Sequence, residues 1–169
     1  AISLYGEGNK ATLLSCQMDN LPERVDVFSA TQKGVEVSLS ADRTVVTKAA
    51  KGWDAGMSLV GRGVKTGKAR WSFQVGGGTK TTIGVCVEGV KLDSYLNKTT
   101  LGWGYYQANG NTGHGGAAQT KYGASFKTPG DVVDVEVDCD AGTVQFYLNG
   151  EAQGVAYDNL PSGARFFAA

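Results

Sequence analysis

The chain has 169 residues, 41% of them hydrophobic, with 25 glycines and three prolines; this suits one domain burying its own core and excludes a disordered or collagen-like chain. Sixteen bases balance sixteen acids, which excludes strong whole-molecule attraction to a polyanion. The charges are nevertheless segregated: Arg43, Lys48, Lys51, Arg62, Lys65, Lys68 and Arg70 occupy 43–70 with Asp54 as the one acid, while Asp131, Asp134, Glu136, Asp138, Asp140, Glu151 and Asp158 occupy 131–164 without a base, so two solvated faces that complement one another are expected.

In chain order, the first 33 residues hold one weak signal, a helical turn at Asn20-Leu21-Pro22-Glu23 with Asn20 as cap and Glu23 closing a capping box. Period-two alternation then takes over, the mark of strands with one buried face. Val35, Val37 and Leu39 alternate with polar residues, and Ala41-Asp42 turns the chain into Thr44 to Thr47, a hairpin. Ala69, Trp71, Phe73 and Val75 share a face; Gly76-Gly77-Gly78 leads into Thr81 to Val87, predicted as a second hairpin with Ile83, Val85 and Val87 inward and Cys86 on the opposite face. Two long loops follow, Glu88 to Leu101 and Gln107 to Lys121. Loops on a rigid sheet are where binding residues concentrate. Val133, Val135 and Val137 alternate with Asp134, Glu136 and Asp138, a predicted solvated acidic face. Asp140 to Gly142 turns this strand into Val144, Phe146 and Leu148. Asn149-Gly150, the dipeptide suited to two successive positive φ angles, turns it again into Ala152 to Tyr157. Arg165 to Ala168 closes the series, and an apolar strand at the end is expected of a piece of a longer chain. Many short strands at this spacing predict a sandwich or barrel.

Catalytic constellations are scarce. His114 is the single histidine, Cys139 has inward parity, and nothing in sequence places a base beside Cys86. Cys16, Cys86 and Cys139 are odd in number and lack metal spacing, which fits a reducing compartment. Gly61 to Lys68 lacks the phosphate-loop glycine (Arg62) and hydroxyl (Ala69) and runs into a strand; Gly113-His114-Gly115 with Ala118 opens no helix. Asn97-Lys98-Thr99 is a glycosylation triplet that matters only in a secretory compartment, and reads here as chance. No apolar run is long enough for a membrane helix. No enzyme, metal or cofactor is expected.

Several stretches together carry a resemblance: Val37-Ser38-Leu39-Ser40-Ala41-Asp42-Arg43-Thr44-Val45; Gly67-Lys68 leading into Trp71-Ser72-Phe73-Gln74-Val75; Ile83-Gly84-Val85; Gly102-Trp103-Gly104-Tyr105; and Gly130-Asp131 through Asn149-Gly150 to Gly154-Val155-Ala156-Tyr157. The chain from about residue 34 to 169 resembles SPRY (B30.2-type) domains. The resemblance implies an all-β fold, a bent two-sheet antiparallel β-sandwich of concanavalin-like shape; residues 1–33, outside the resemblance, are expected as an N-terminal extension packing on it. The resemblance also implies a non-catalytic, monomeric protein-interaction module of a larger intracellular protein, binding a peptide or protein through inter-strand loops. Tyr95 stands near a tyrosine used by peptide-binding members; Tyr95, Asn97, Lys98, Tyr106, Gln107, Asn109, Asn111 and His114 are the expected contacts, aromatics supplying rigid area and amides adaptable hydrogen bonds. Trp71, Phe73 and Trp103 are expected in the core. Alternatives are a lectin-like carbohydrate site around Asn109 and binding of RNA or an acidic ligand through the basic 43–70 segment.

Overall fold

A computed structural model describes residues 2–5, 7–19, 26–52, 56–78 and 80–168. The expected turn at 20–23 lies outside them. The strands are β1 (Ile2–Leu4), β2 (Lys10–Met18), β3 (Phe28–Lys33), β4 (Val37–Leu39), β5 (Val45–Lys48), β6 (Met57–Val60), β7 (Lys68–Gly77), β8 (Thr81–Val87), β9 (Gly102–Tyr106), β10 (Asn111–His114), β11 (Thr120–Lys121), β12 (Val132–Asp138), β13 (Thr143–Leu148), β14 (Glu151–Tyr157) and β15 (Phe166–Ala168), with one 3₁₀ turn at Leu96–Lys98. They form two antiparallel sheets. Sheet A runs β11-β10-β9-β8-β1-β6-β3, with β15 also on β8; sheet B runs β14-β13-β12-β7-β2-β5-β4.

The alternation read from sequence lines the core between the sheets. Ala69, Trp71 and Phe73 of β7 stand opposite Val137, Val135 and Val133 of β12, and these six side chains are essentially inaccessible. Complete burial of such side chains contributes about 1.5–3 kcal/mol each for the larger ones. Their odd-numbered parity leaves the acids of β12 on the outer face, where Asp138 pairs with Lys68 at 3.2 Å and Asp134 with Arg70, whose guanidinium lies 3.6 Å over the Tyr147 ring. The basic and acidic segments thus meet at β7 and β12. Asp134 departs from the expected solvated face: it is only 7% exposed, because Arg70 and Tyr147 close over it.

The C-terminal hairpins follow their turn residues. Asp138 Oδ1 accepts from the Asp140 and Ala141 amides, and Gly142 (φ 68°) completes the reversal. Asn149 and Gly150 both have positive φ, 51° and 87°, joining Leu148 to its partner Glu151 by a two-residue turn of the type whose twist matches the strands. The β4–β5 hairpin also forms, with Val35 outside it and 90% exposed.

The predicted hairpin of Trp71 to Val75 with Thr81 to Val87 does not form. Both strands exist, but β7 is flanked by β2 and β12 in sheet B, and β8 by β9 on one edge and by β1 and β15 along the other in sheet A. Gly76 to Gly78 therefore carries the chain between sheets. Alternation reports which face is buried, not which neighbour pairs. Residues 2–33 supply β1, β2 and β3, with β2 paired along most of β7.

Strand β8 is buried on both faces. A second apolar cluster, Met57, Leu59, Cys86, Val90, Leu96 and Phe167, lies on the far side of sheet A under the 88–101 segment. Cys86, expected on the open face, is therefore fully buried, and its thiol is pushed up to about 11 by desolvation. Cys16 is pushed up to about 12 and Cys139 to about 11, burial again the main cause.

Candidate functional site

The outer face of sheet A at β9 and β10 is built around missing side chains. Parity turns Trp103 and Tyr105 inward, where Tyr105 meets Phe126 and Phe146 with ring centroids 5.0 Å apart; Gly102, Gly104 and Tyr106 consequently face outward. Gly84, Gly104 and Gly113 stand in register across β8, β9 and β10. Over this row sits the 3₁₀ turn. A Cβ on Gly102 would collide with the Leu96 carbonyl, one on Gly104 with the Asn97 amide oxygen, and one on Gly113 would come 2.9 Å from Tyr106 Cε2.

The loop that lies on the row is held at several points. The Leu96 amide donates to Ser3 Oγ at 2.9 Å, and the Gly116 and Gly115 amides donate to the Asn97 and Thr99 carbonyls at 2.7 and 3.1 Å. Gln107 to Lys121, expected as a loop, contains β10 and β11, and its hairpin is bonded to the 88–101 segment. The two candidate binding segments form one braced surface, which lowers the ordering cost of binding.

The eight expected contact residues separate into three groups. Tyr95, Lys98, Tyr106, Asn109 and Asn111 come together on the outer surface. Lys98 Nζ lies 5.9 Å from the Tyr95 ring centroid; Asn109 and Asn111 both donate their amides to Gln119 Oε1, at 2.7 and 3.3 Å. The Tyr106 phenol is raised by desolvation, against the opposing influence of the Asn97 and Gln119 side chains, with Tyr95 raising it further. Gln119, absent from the sequence reading, is the hub of the amide cluster; no motif marks it.

Asn97 and Gln107 are structural in their contacts. Asn97 is 2% exposed and roofs the glycine row, its amide beside the Tyr106 hydroxyl without a well-aligned hydrogen bond. Gln107 is 1% exposed, its side chain accepting from the Thr81 amide at 2.9 Å and donating to the Gly78 carbonyl at 3.1 Å. His114 occupies the opposite face of β10, stacked on Trp103.

Two recesses flank the Tyr95–Tyr106 pair. One of about 150 Å³ is lined by Lys80, Tyr106, Ala108, Asn109 and Gln119; the other, about 430 Å³, by Lys91, Asp93, Ser94, Lys98 and Thr99. Their chemistry is hydrogen bonding and aromatic contact, with three lysines and one acid, Asp93, at the rims. Among the described residues no three His, Cys, Asp or Glu side chains converge as metal ligands, and no helix is long and apolar enough to cross a membrane. The basic 43–70 segment is divided by its pairings: Lys48 is buried against Glu36, and Lys68 and Arg70 pair with β12 acids.

Comparison with known proteins agrees with this architecture. The crystal structure of the SPRY domain of human HERC1 is 26% identical and superposes with a TM-score of 0.57 over 66% of this chain and 70% of that one. The stonustoxin structure, 18% identical, shares the fold with a TM-score of 0.66 over 85% of this chain and 25% of that one. The family model for the SPRY domain matches residues 68–169, three-fifths of the sequence, spanning β7, the glycine row, both loops and the C-terminal hairpins. The chain belongs to the SPRY domain family.

Proposed function

We propose that this domain binds an extended segment of a protein partner on the outer surface of β9 and β10, between the 88–101 and 107–121 segments. SPRY domains are in general protein-interaction modules, and the observation that carries the local assignment is the convergence of Tyr95, Tyr106, Asn109, Asn111 and Gln119 on one braced, half-exposed surface. Tyrosines supply rigid contact area at low entropic cost. The amides, now bonded to one another, exchange those bonds for the donors and acceptors of a peptide backbone. Lys80, Lys91 and Lys98 at the rims favour a segment without excess positive charge.

The test is selection of peptides from a displayed random library, followed by calorimetry on the selected sequence. Tyr95→Ala combined with Asn109→Ala is expected to weaken binding about tenfold or more, while Gln17→Ala on sheet B leaves it unchanged. Unchanged affinity in the double variant, or equal loss with Gln17→Ala, would place the binding surface elsewhere.

A further inference from the structure

On the inner side of β10 lies a groove separate from the peptide surface. His114 stacks on Trp103 with ring centroids 4.6 Å apart and planes within 9°. Its Nδ1 is 2.8 Å from the Gly102 carbonyl. A carbonyl only accepts, so Nδ1 carries the proton, and Nε2 of the neutral ring is left as an acceptor. Trp103, His114, Ala156, Tyr157, Asp158 and Asn159 line a cavity of about 350 Å³. The Tyr157 hydroxyl is already committed, accepting from the Gly113 amide at 2.8 Å and facing the Gly113 and Gly104 carbonyls at 2.9 and 3.0 Å. What the groove offers a ligand is an imidazole acceptor, the Asn159 amide and one charge, the exposed Asp158 carboxylate.

The surroundings reinforce that sign. The Leu160 amide donates to the Gly142 carbonyl at 3.0 Å, bringing the Asp140 turn beside residues 158–160. No lysine or arginine occurs from 131 to 164, and of the seven acids there, only Asp134 and Asp138 pair with a base among the described residues. The local field is felt at Cys139, whose thiol is raised first by burial and then by Asp140 and Asp138.

We propose that this groove receives an arginine side chain of a partner protein, its guanidinium stacked on the side of the His114 ring away from the buried Trp103 and donating to the Asp158 carboxylate. A guanidinium is planar, weakly hydrated and able to stack on an aromatic while donating sideways. An ammonium satisfies the charge but not the stack. The site adds a second, oppositely charged point of contact to the domain.

The experiment titrates the isotopically labelled chain with acetyl-Ala-Ala-Arg-Ala-Ala-amide and follows the Trp103 indole N–H and the His114 ring by NMR. Saturable shifts are expected at both, weaker by about fivefold with lysine in place of arginine and absent with citrulline, which keeps the shape without the charge. Asp158→Asn, a substitution at an exposed position, is expected to weaken binding about fivefold and to leave the library-selected peptide bound as before. Equal response to arginine and citrulline, an unaffected Asp158→Asn variant, no saturable shift at Trp103 and His114, or shifts confined to Tyr95 and Tyr106 would each overturn the assignment. Asp158 and Tyr95 act on opposite faces of β9 and β10, so failure here is distinguishable from failure of the peptide surface.

Discussion

The Asn97 side chain fills the volume that a Cβ on Gly104 would need. Thr82 Cγ2 would lie only 2.6 Å from the same Cβ, so the added methyl has nowhere to go unless the 3₁₀ turn lifts. Gly104→Ala is expected to cost about 1–3 kcal/mol in urea unfolding, the usual penalty for overpacking. Asn97→Ala in that background should recover part of the loss, because residues in contact couple by about 0.5–3 kcal/mol. Strictly additive losses would show that the two do not share this space. The same lift would displace Tyr95, so Gly104→Ala should also weaken the selected peptide.

Tyr157 ties the end of sheet B to sheet A. Its hydroxyl sits among the Gly113 amide and the Gly104 and Gly113 carbonyls, and burial pushes the phenol up to about 12. Tyr157→Phe keeps the ring and deletes the acceptor of the Gly113 amide. A cost of about 1–3 kcal/mol is expected, the penalty for a buried polar group losing its partner, with faster hydrogen exchange at Gly113 than at amides of β12. Unchanged exchange at Gly113 would contradict this role.

Asp138 supplies an acid-sensitive part of the stability. Its carboxyl is held below the ordinary value of 3.8, above all by the Ala141 amide; desolvation, the next influence in size, raises it, and Lys68 and the Asp140 amide together help to outweigh that. The folded form therefore binds this proton less readily than the unfolded chain. The stabilisation is complete above the unfolded pKa, near 4, and is lost as pH falls through the lower folded value. Urea midpoints measured from pH 6 downward should decline on acidification, and Asp138→Asn should flatten that limb; an identical limb in the variant would exclude the contribution.

Legibility in the sequence varied with how local the cause was. The hairpins of β12, β13 and β14 are written in residues a few positions apart, Asp140 to Gly142 and Asn149-Gly150, and they form as read. Strands β7 and β8 were equally visible, but their partners β2, β1 and β15 come from the far ends of the chain, and nothing local distinguishes a hairpin from a crossover between sheets. Cys86 was misplaced for a related reason: parity assumes one solvated face, and the 88–101 segment covers the other. At the candidate surface, the inward parity of Trp103 and Tyr105 was a usable sign that Tyr106 points out. Gln107 and Asn97 looked like adaptable contacts because side-chain type does not reveal that an amide is enclosed by loop backbone or by a glycine row.

Lys48 and Glu36 form an unequal ion pair, the lysine side chain wholly buried and the glutamate 39% exposed. The two halves should respond differently to substitution. Glu36→Gln leaves an ammonium enclosed without its counter-charge; a fully buried pair broken in this way loses about 3–5 kcal/mol, and the partial exposure of Glu36 places the expected loss at or below the bottom of that range. Lys48→Met removes the buried charge and retains much of the aliphatic stem, while Glu36 turns to solvent, so its cost should be smaller and close to zero. Urea unfolding at neutral pH measures both. If Lys48→Met proved the more damaging, the pair would be contributing net stability through the lysine's own contacts, and the desolvation argument would fail.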